Sequence, residues 1–196
     1  ILETLEPRLL LARDISAGQI SALVGGLDAI TEFGDRLDTS GPLAATLPLA
    51  THQVELPTGD LTSAEFSIGE QIDIGTILFE VLTLPATTYL ESSLSPTSDG
   101  LVAAISTNLT AAATDFSIDS ATFRDDSTAE QLKFAASFVA TRVDDVAFDL
   151  ETQLSESPLR FDGGFTAPLE LSFTFDATIR LPDQAQTPSE VSFELG

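Results

Sequence analysis

The chain has 196 residues, enough for one domain with a substantial core, and its 31 acidic and 8 basic residues leave a formal net charge of −23. Such a field repels phosphate backbones and anionic headgroups, which argues against nucleic acid as a partner; it solvates a β-rich surface and invites divalent cations. Zero cysteines exclude a disulfide framework, a thiol nucleophile and cysteine-based metal sites, while zero methionines mean that residue 1 is not a translation start. The chain is therefore expected to be the amino-terminal part of a longer polypeptide, with a processed or missing leader.

In chain order, the first notable stretch is Leu5-Glu6-Pro7-Arg8-Leu9-Leu10-Leu11. It resembles the motif of the LEPR-XLL domain, a short segment near the start of very large bacterial surface and secreted proteins. The resemblance covers barely a tenth of the chain, and Ala12-Arg13-Asp14 stands where the family continues Ser-Ala-Asp. It implies an extracellular or cell-surface location and an export or anchoring role for Leu5, Glu6, Pro7, Arg8, Leu9, Leu10 and Leu11. The implied partners are downstream domains of the same long chain and cell-surface or matrix components. Leu9–Ala12 is too short for a signal-peptide core of about 7–15 residues or a membrane span of about 20, and no transmembrane segment follows.

Ile20, Leu23, Leu27, Ile30 and Leu37 recur at three- and four-residue steps, which predicts a helix from about Ser16 to Leu37 with Val24 and Phe33 beside the stripe. Asp14 or Ser16 is placed to cap it. Gly18, Gly25, Gly26 and Gly34 each weaken that helix by roughly 1 kcal/mol relative to alanine, so it must be held by packing. The glycines also suit close approach to a neighbour. Residues 38–60 read as a proline-punctuated loop, with Leu43–Leu49 adding a helical turn.

From Leu61 the period shifts to two. Phe66 and Ile68 alternate with Ser67, and Ile77, Phe79 and Val81 alternate with Leu78 and Glu80, which predicts strands. Pro96–Gly100 reads as a loop. Residues 127–143 fit either a capped helix or a strand; strand is favoured because Phe134 and Phe138 then share one dry face. Val146, Phe148, Leu150 and Leu154 face one way in the next segment. Leu169–Leu181 is the cleanest strand, with Leu169, Leu171, Phe173, Phe175, Ala177, Ile179 and Leu181 on one face and polar residues on the other. One dry and one wet face point to an antiparallel sheet. Turns fall at Asp162-Gly163-Gly164 and Pro182–Pro188, and Val191, Phe193 and Leu195 begin another strand.

Candidate sites are sparse. Asp125-Asp126 and Asp144-Asp145, each beside an arginine, are candidate Ca²⁺ ligands; a solvated hairpin turn with a local ion pair is the favoured reading of both. Asp162-Gly163-Gly164 is a single copy with no calcium-binding repeat following it. His52 is the only histidine, so neither a triad nor a zinc site can be built around it. Gly25-Gly26 lacks a phosphate loop's lysine and reads as a helix-packing site. Asn108-Leu109-Thr110 matches a glycosylation acceptor, a chance match in a bacterial chain.

The fold class expected is mainly β with an N-terminal helix, the strands forming a long antiparallel twisted sheet or β-sandwich. The expected division is 1–14 for the motif segment, 15–50 for a helical segment and 51–196 for an antiparallel β domain. The expected role is a non-catalytic scaffold segment of a large exported, adhesin-like protein, with no enzyme activity and no cofactor beyond the candidate Ca²⁺. The alternatives are an apolar-ligand or lipid-binding β module and a carbohydrate-active enzyme.

Overall fold

The computed structural model describes residues 13–55, 61–109, 116–128, 131–149, 164–183 and 185–195. Of 47–55, 61–66, 148, 149, 164 and 165 it describes the backbone course alone. The predicted helix is α1, Ala17–Asp38. Ser16 caps it: its hydroxyl accepts the Gln19 N–H at 3.3 Å, and Gln19 Oε1 accepts the Ser16 N–H at 3.0 Å. This reciprocal pair satisfies two backbone donors that the first turn leaves open.

The predicted stripe lies on the buried face of α1: Leu23, Leu27 and Ile30 are buried and Ile20 and Leu37 pack against the core, while Phe33 is 37% exposed. Ala22, Gly26 and Gly34 widen that face on one side, and the glycines explain why. A Cβ on Gly34 would lie 2.9 Å from the Cα of Gly75, and one on Gly26 would meet Val191 at 3.0 Å. Small residues there let two neighbouring segments approach the helix backbone directly.

After a 3₁₀ turn at Gly41–Ala44 come strands β1, Thr46–Glu55, and β2, Leu61–Ser67. The chain then turns helical, which corrects the expectation of strands around Ile77–Val81. Helices α2 (Ile68–Ile72) and α3 (Ile74–Leu78) lead through a π-helical turn at Phe79–Thr83 into α4 (Leu84–Ser92). Ile74, Ile77, Leu78, Val81 and Leu82 are all buried, whereas Phe79 is 42% exposed, a helical rather than an alternating pattern. Pro85 lacks the N–H that an α-turn would direct to Val81; the turn widens, and the Leu84 N–H bonds to Phe79 O instead.

The expected loop at Pro96–Gly100 is likewise the start of a helix, α5, Ser98–Leu109. Thr97 Oγ1 accepts the Gly100 N–H at 3.2 Å, as an N-cap residue does. The region expected to be wholly β therefore holds a helical block from residue 68 to 109, and the fold is α+β rather than mainly β.

The remaining strands are β3 (Ser117–Asp125), β4 (Gln131–Asp149), β5 (Gly164–Pro182) and β6 (Ser192–Leu195). Residues 131–143 are thus strand, as favoured. All described strands join one antiparallel sheet in the order β2-β1-β4-β5-β6, with β3 also on β4; no second sheet makes a sandwich among the described residues. At 19 residues, β4 is long enough to carry β3 along Phe134–Thr141 and to meet β1 near Ala147 and Phe148 on the same edge.

On β4 and β5 one face is buried and the other open. Leu132, Phe134, Ala136, Phe138 and Ala140 from β4, and Phe175, Ala177, Ile179 and Leu181 from β5, join a single core with residues of α1, α3, α4 and α5. The phenylalanine rings interlock across strands: Phe123 stacks on Phe134 with centroids 5.7 Å apart, and Phe138 lies 5.2 Å from Phe175. A 3₁₀ turn at Pro188–Glu190 folds back against α1. Glu190 clasps it by accepting the N–H groups of Gln186 and Thr187 at 2.8 and 2.9 Å, bonds that hold its carboxyl below the usual range.

Asp38, at the buried end of α1, caps α3 from a distance. Its Oδ1 accepts the Ile74 N–H and its Oδ2 the Gly75 N–H, both at 3.1 Å. Burial pushes its carboxyl up from the ordinary value; the two backbone bonds oppose this, and Asp73 and Asp35 add to it. A carboxyl that binds its proton more tightly when folded contributes stability below its ordinary pKa and loses that contribution as pH rises through the raised one. Urea unfolding across the acid range should therefore show Asp38→Asn becoming progressively more stable relative to the native chain as pH rises. If Asp38→Asn instead keeps a constant offset or loses stability relative to the native chain as pH rises, the two N–H bonds outweigh burial.

Candidate functional site

The outer face of the sheet carries a groove of about 590 Å³. Its shape follows from side-chain length. Arg124 on β3, Ala135 on β4, Thr178 on β5 and Glu194 on β6 sit in one cross-strand row. The long residues fall on the outer strands and the short ones on the central pair, so the row has walls and a floor. Four strands at ~4.8 Å spacing separate the walls by roughly 14 Å. The adjoining row is Thr122, Ser137 and Asp176, all of them short. Leu195 lines one edge, and Ala136 and Ala177 complete the lining.

The wall charges are occupied. Arg124 Nε lies 3.4 Å from Asp126 Oδ2, and Arg180 pairs with Glu194 at 2.5 Å. Both pairs are largely solvated and contribute little stability, about 0–1 kcal/mol each. The floor differs. The Asp176 carboxylate and the hydroxyls of Thr122, Ser137 and Thr178 have no protein partner among the described residues. Lys133 and Arg180, directly opposite each other on the same face, stand just beyond one end of the groove.

The candidate Ca²⁺ ligands are not brought together. Asp125 Oδ1 accepts the Ser127 N–H at 2.7 Å, closing the turn after β3, while Asp126 faces Arg124. Asp144 and Asp145 are successive residues within β4, so their side chains point to opposite faces. Asp144 Oδ2 lies 2.8 Å from Arg142 Nε, and Asp145 is exposed. Asp125 stands opposite Phe134, ten residues before Asp144 along β4, or roughly 33 Å at ~3.3 Å per residue. Among the described residues, no group of three or more His, Asp or Glu is arranged to hold a metal.

The other singled-out residues are placed as follows. Leu5, Glu6, Pro7, Arg8, Leu9, Leu10 and Leu11 lie outside the described residues, as do Asp162 and Gly163. His52 sits in β1 opposite Ala64, not in a loop. Asn108 lies on α5, its amide donating to Glu80 O. Gly25-Gly26 is a packing site, against Pro188 and Val191. The groove itself escaped sequence reading. Asp176 and Thr178 are legible as wet-face residues of β5, but their neighbours across the sheet depend on register.

No family model matches the chain, and neither a curated protein nor a solved structure is found to be similar to it.

With each aspartate pair either split between faces or committed to a turn, millimolar Ca²⁺ should leave the thermal melting curve unmoved. A rise in Tm that disappears in Asp125→Asn or Asp144→Asn would instead place an ion there.

Proposed function

We propose that the chain is a non-catalytic scaffold segment of a large exported or surface-displayed bacterial protein, with a structural, adhesive or matrix role. The observation that carries this reading is the pairing of two 19-residue strands, β4 and β5, unbroken along their whole length, with helices packed on one face over 132–140 and 171–181. Residue types that perform chemistry elsewhere serve architecture here. Asp38 and Ser16 cap helices, Asp125 and Glu190 close turns, and Thr83 bonds across to α1. The net charge of −23 suits a surface that stays solvated and self-repelling. The Leu5–Leu11 resemblance supplies the link to export and the cell surface.

The apolar-ligand alternative drew on the one-sided apolar strands. Their dry face is filled: Phe134 and Phe138 are 1% exposed and Phe175 is 6% exposed. That closure favours the scaffold over a lipid-binding module. In the parent protein expressed by its host, Arg8→Ala and Pro7→Ala should reduce the fraction retained at the surface, read by surface labelling against total protein. Export and retention equal to those of the unaltered protein would remove the motif's role.

A further inference from the structure

The groove on the outer sheet face has features that packing does not require. Its floor is built of short side chains on the two central strands, so it is a recess rather than a flat wet face. Four lining groups, the exposed Asp176 and Thr122 and the half-buried Ser137 and Thr178, are without protein partners among the described residues, although other polar groups of the same sheet are bonded. Thr141, two rows further on, donates to Asp119 at 2.6 Å and shares a bond with Ser172. The wall charges Arg124 and Glu194 are paired with Asp126 and Arg180, leaving Asp176 as the uncompensated charge in the lining.

We propose that this groove binds a short neutral saccharide, with Asp176 accepting from a pair of sugar hydroxyls and Thr122, Ser137 and Thr178 exchanging bonds with their neighbours. A carboxylate has two acceptor oxygens and suits a vicinal diol, while hydroxyl side chains both donate and accept, as sugar hydroxyls do. The volume of about 590 Å³ falls within the usual span of small-ligand sites, about 300–1,000 Å³. The ligand is not a polyanion, because an unpaired Asp176 in a chain of charge −23 repels one. A peptide fits less well: the floor is a sheet face, not an edge, and has no free backbone ladder for an added strand. The groove contains no aromatic ring, so binding is weak, in the millimolar range.

The test is a titration of the isotope-labelled chain with neutral trisaccharides of glucose, mannose and N-acetylglucosamine, read by backbone amide shifts. At least one should give saturable shifts confined to residues 122–124, 135–137, 176–178 and 194–195. Asp176→Ala should weaken that titration about tenfold, as expected for losing a charged hydrogen-bond partner. Ser137→Arg, which fills the floor, should abolish it, with the melting curve of each variant showing that the fold is retained. The proposal fails if none of the three sugars gives saturable shifts, if the shifts map elsewhere, or if both variants titrate like the native chain. It also fails if tetralysine moves these amides and no sugar does, since Asp176 would then be reading positive charge. Neither result depends on whether the parent protein is exported.

Discussion

The closure of one sheet face by helices is the constraint on which the rest of this structure depends. Strands β4 and β5 present Leu132, Phe134, Phe138, Phe175, Ile179 and Leu181 on one side, and burying each is worth roughly 1.5–3 kcal/mol. The helices over them are poor on their own. α1 contains four glycines, α2 and α3 have five residues each, and a π-turn interrupts the next. Segments this short or this glycine-rich do not hold a helix in water without a partner surface. The same glycines that weaken α1 let it approach Gly75, Pro188 and Val191, so the local cost supports the tertiary contact.

The parts legible from sequence were those where the pattern ran long enough to exclude the alternative. Leu169–Leu181 alternates over 13 positions, which a helix cannot match, and it is a strand. Asp14 and Ser16 were both placed to cap α1, and Ser16 does so, with Gln19 as the reciprocal partner that the structure adds. Around Ile77–Val81 the alternating reading rested on three residues, and it concealed the longer series Ile74, Ile77, Leu78, Val81 and Leu82. An apolar run of that length satisfies both periods locally, and only its extension decides. Thr97 was read as part of a loop because Ser, Thr, Asp and Gly mark both turns and helix starts.

Site-level features were less legible, for a different reason. Which residues share the groove depends on the register between β3, β4, β5 and β6, and no local pattern encodes the pairing of Ala135 with Thr178 or of Thr178 with Glu194. Conversely, neighbours in sequence were separated by the pleat: Asp144 and Asp145 point to opposite faces, and Asp125 serves a turn. Proximity along the chain overstated one site and concealed another.

The resulting molecule divides its two sheet faces by function. The inner face is apolar and holds the helices; the outer face is hydroxyl-rich, charged and available. The claim that the covered β4–β5 pair is what holds the fold together is most directly tested by native-state hydrogen exchange. The amides of 134–140 and 173–181 should be the last to exchange, opening only with global unfolding, while β6 and the ends of α4 open earlier. If the β4–β5 amides exchanged as fast as those of β6, the helical layer would not be closing the sheet, and the account would be wrong at its centre.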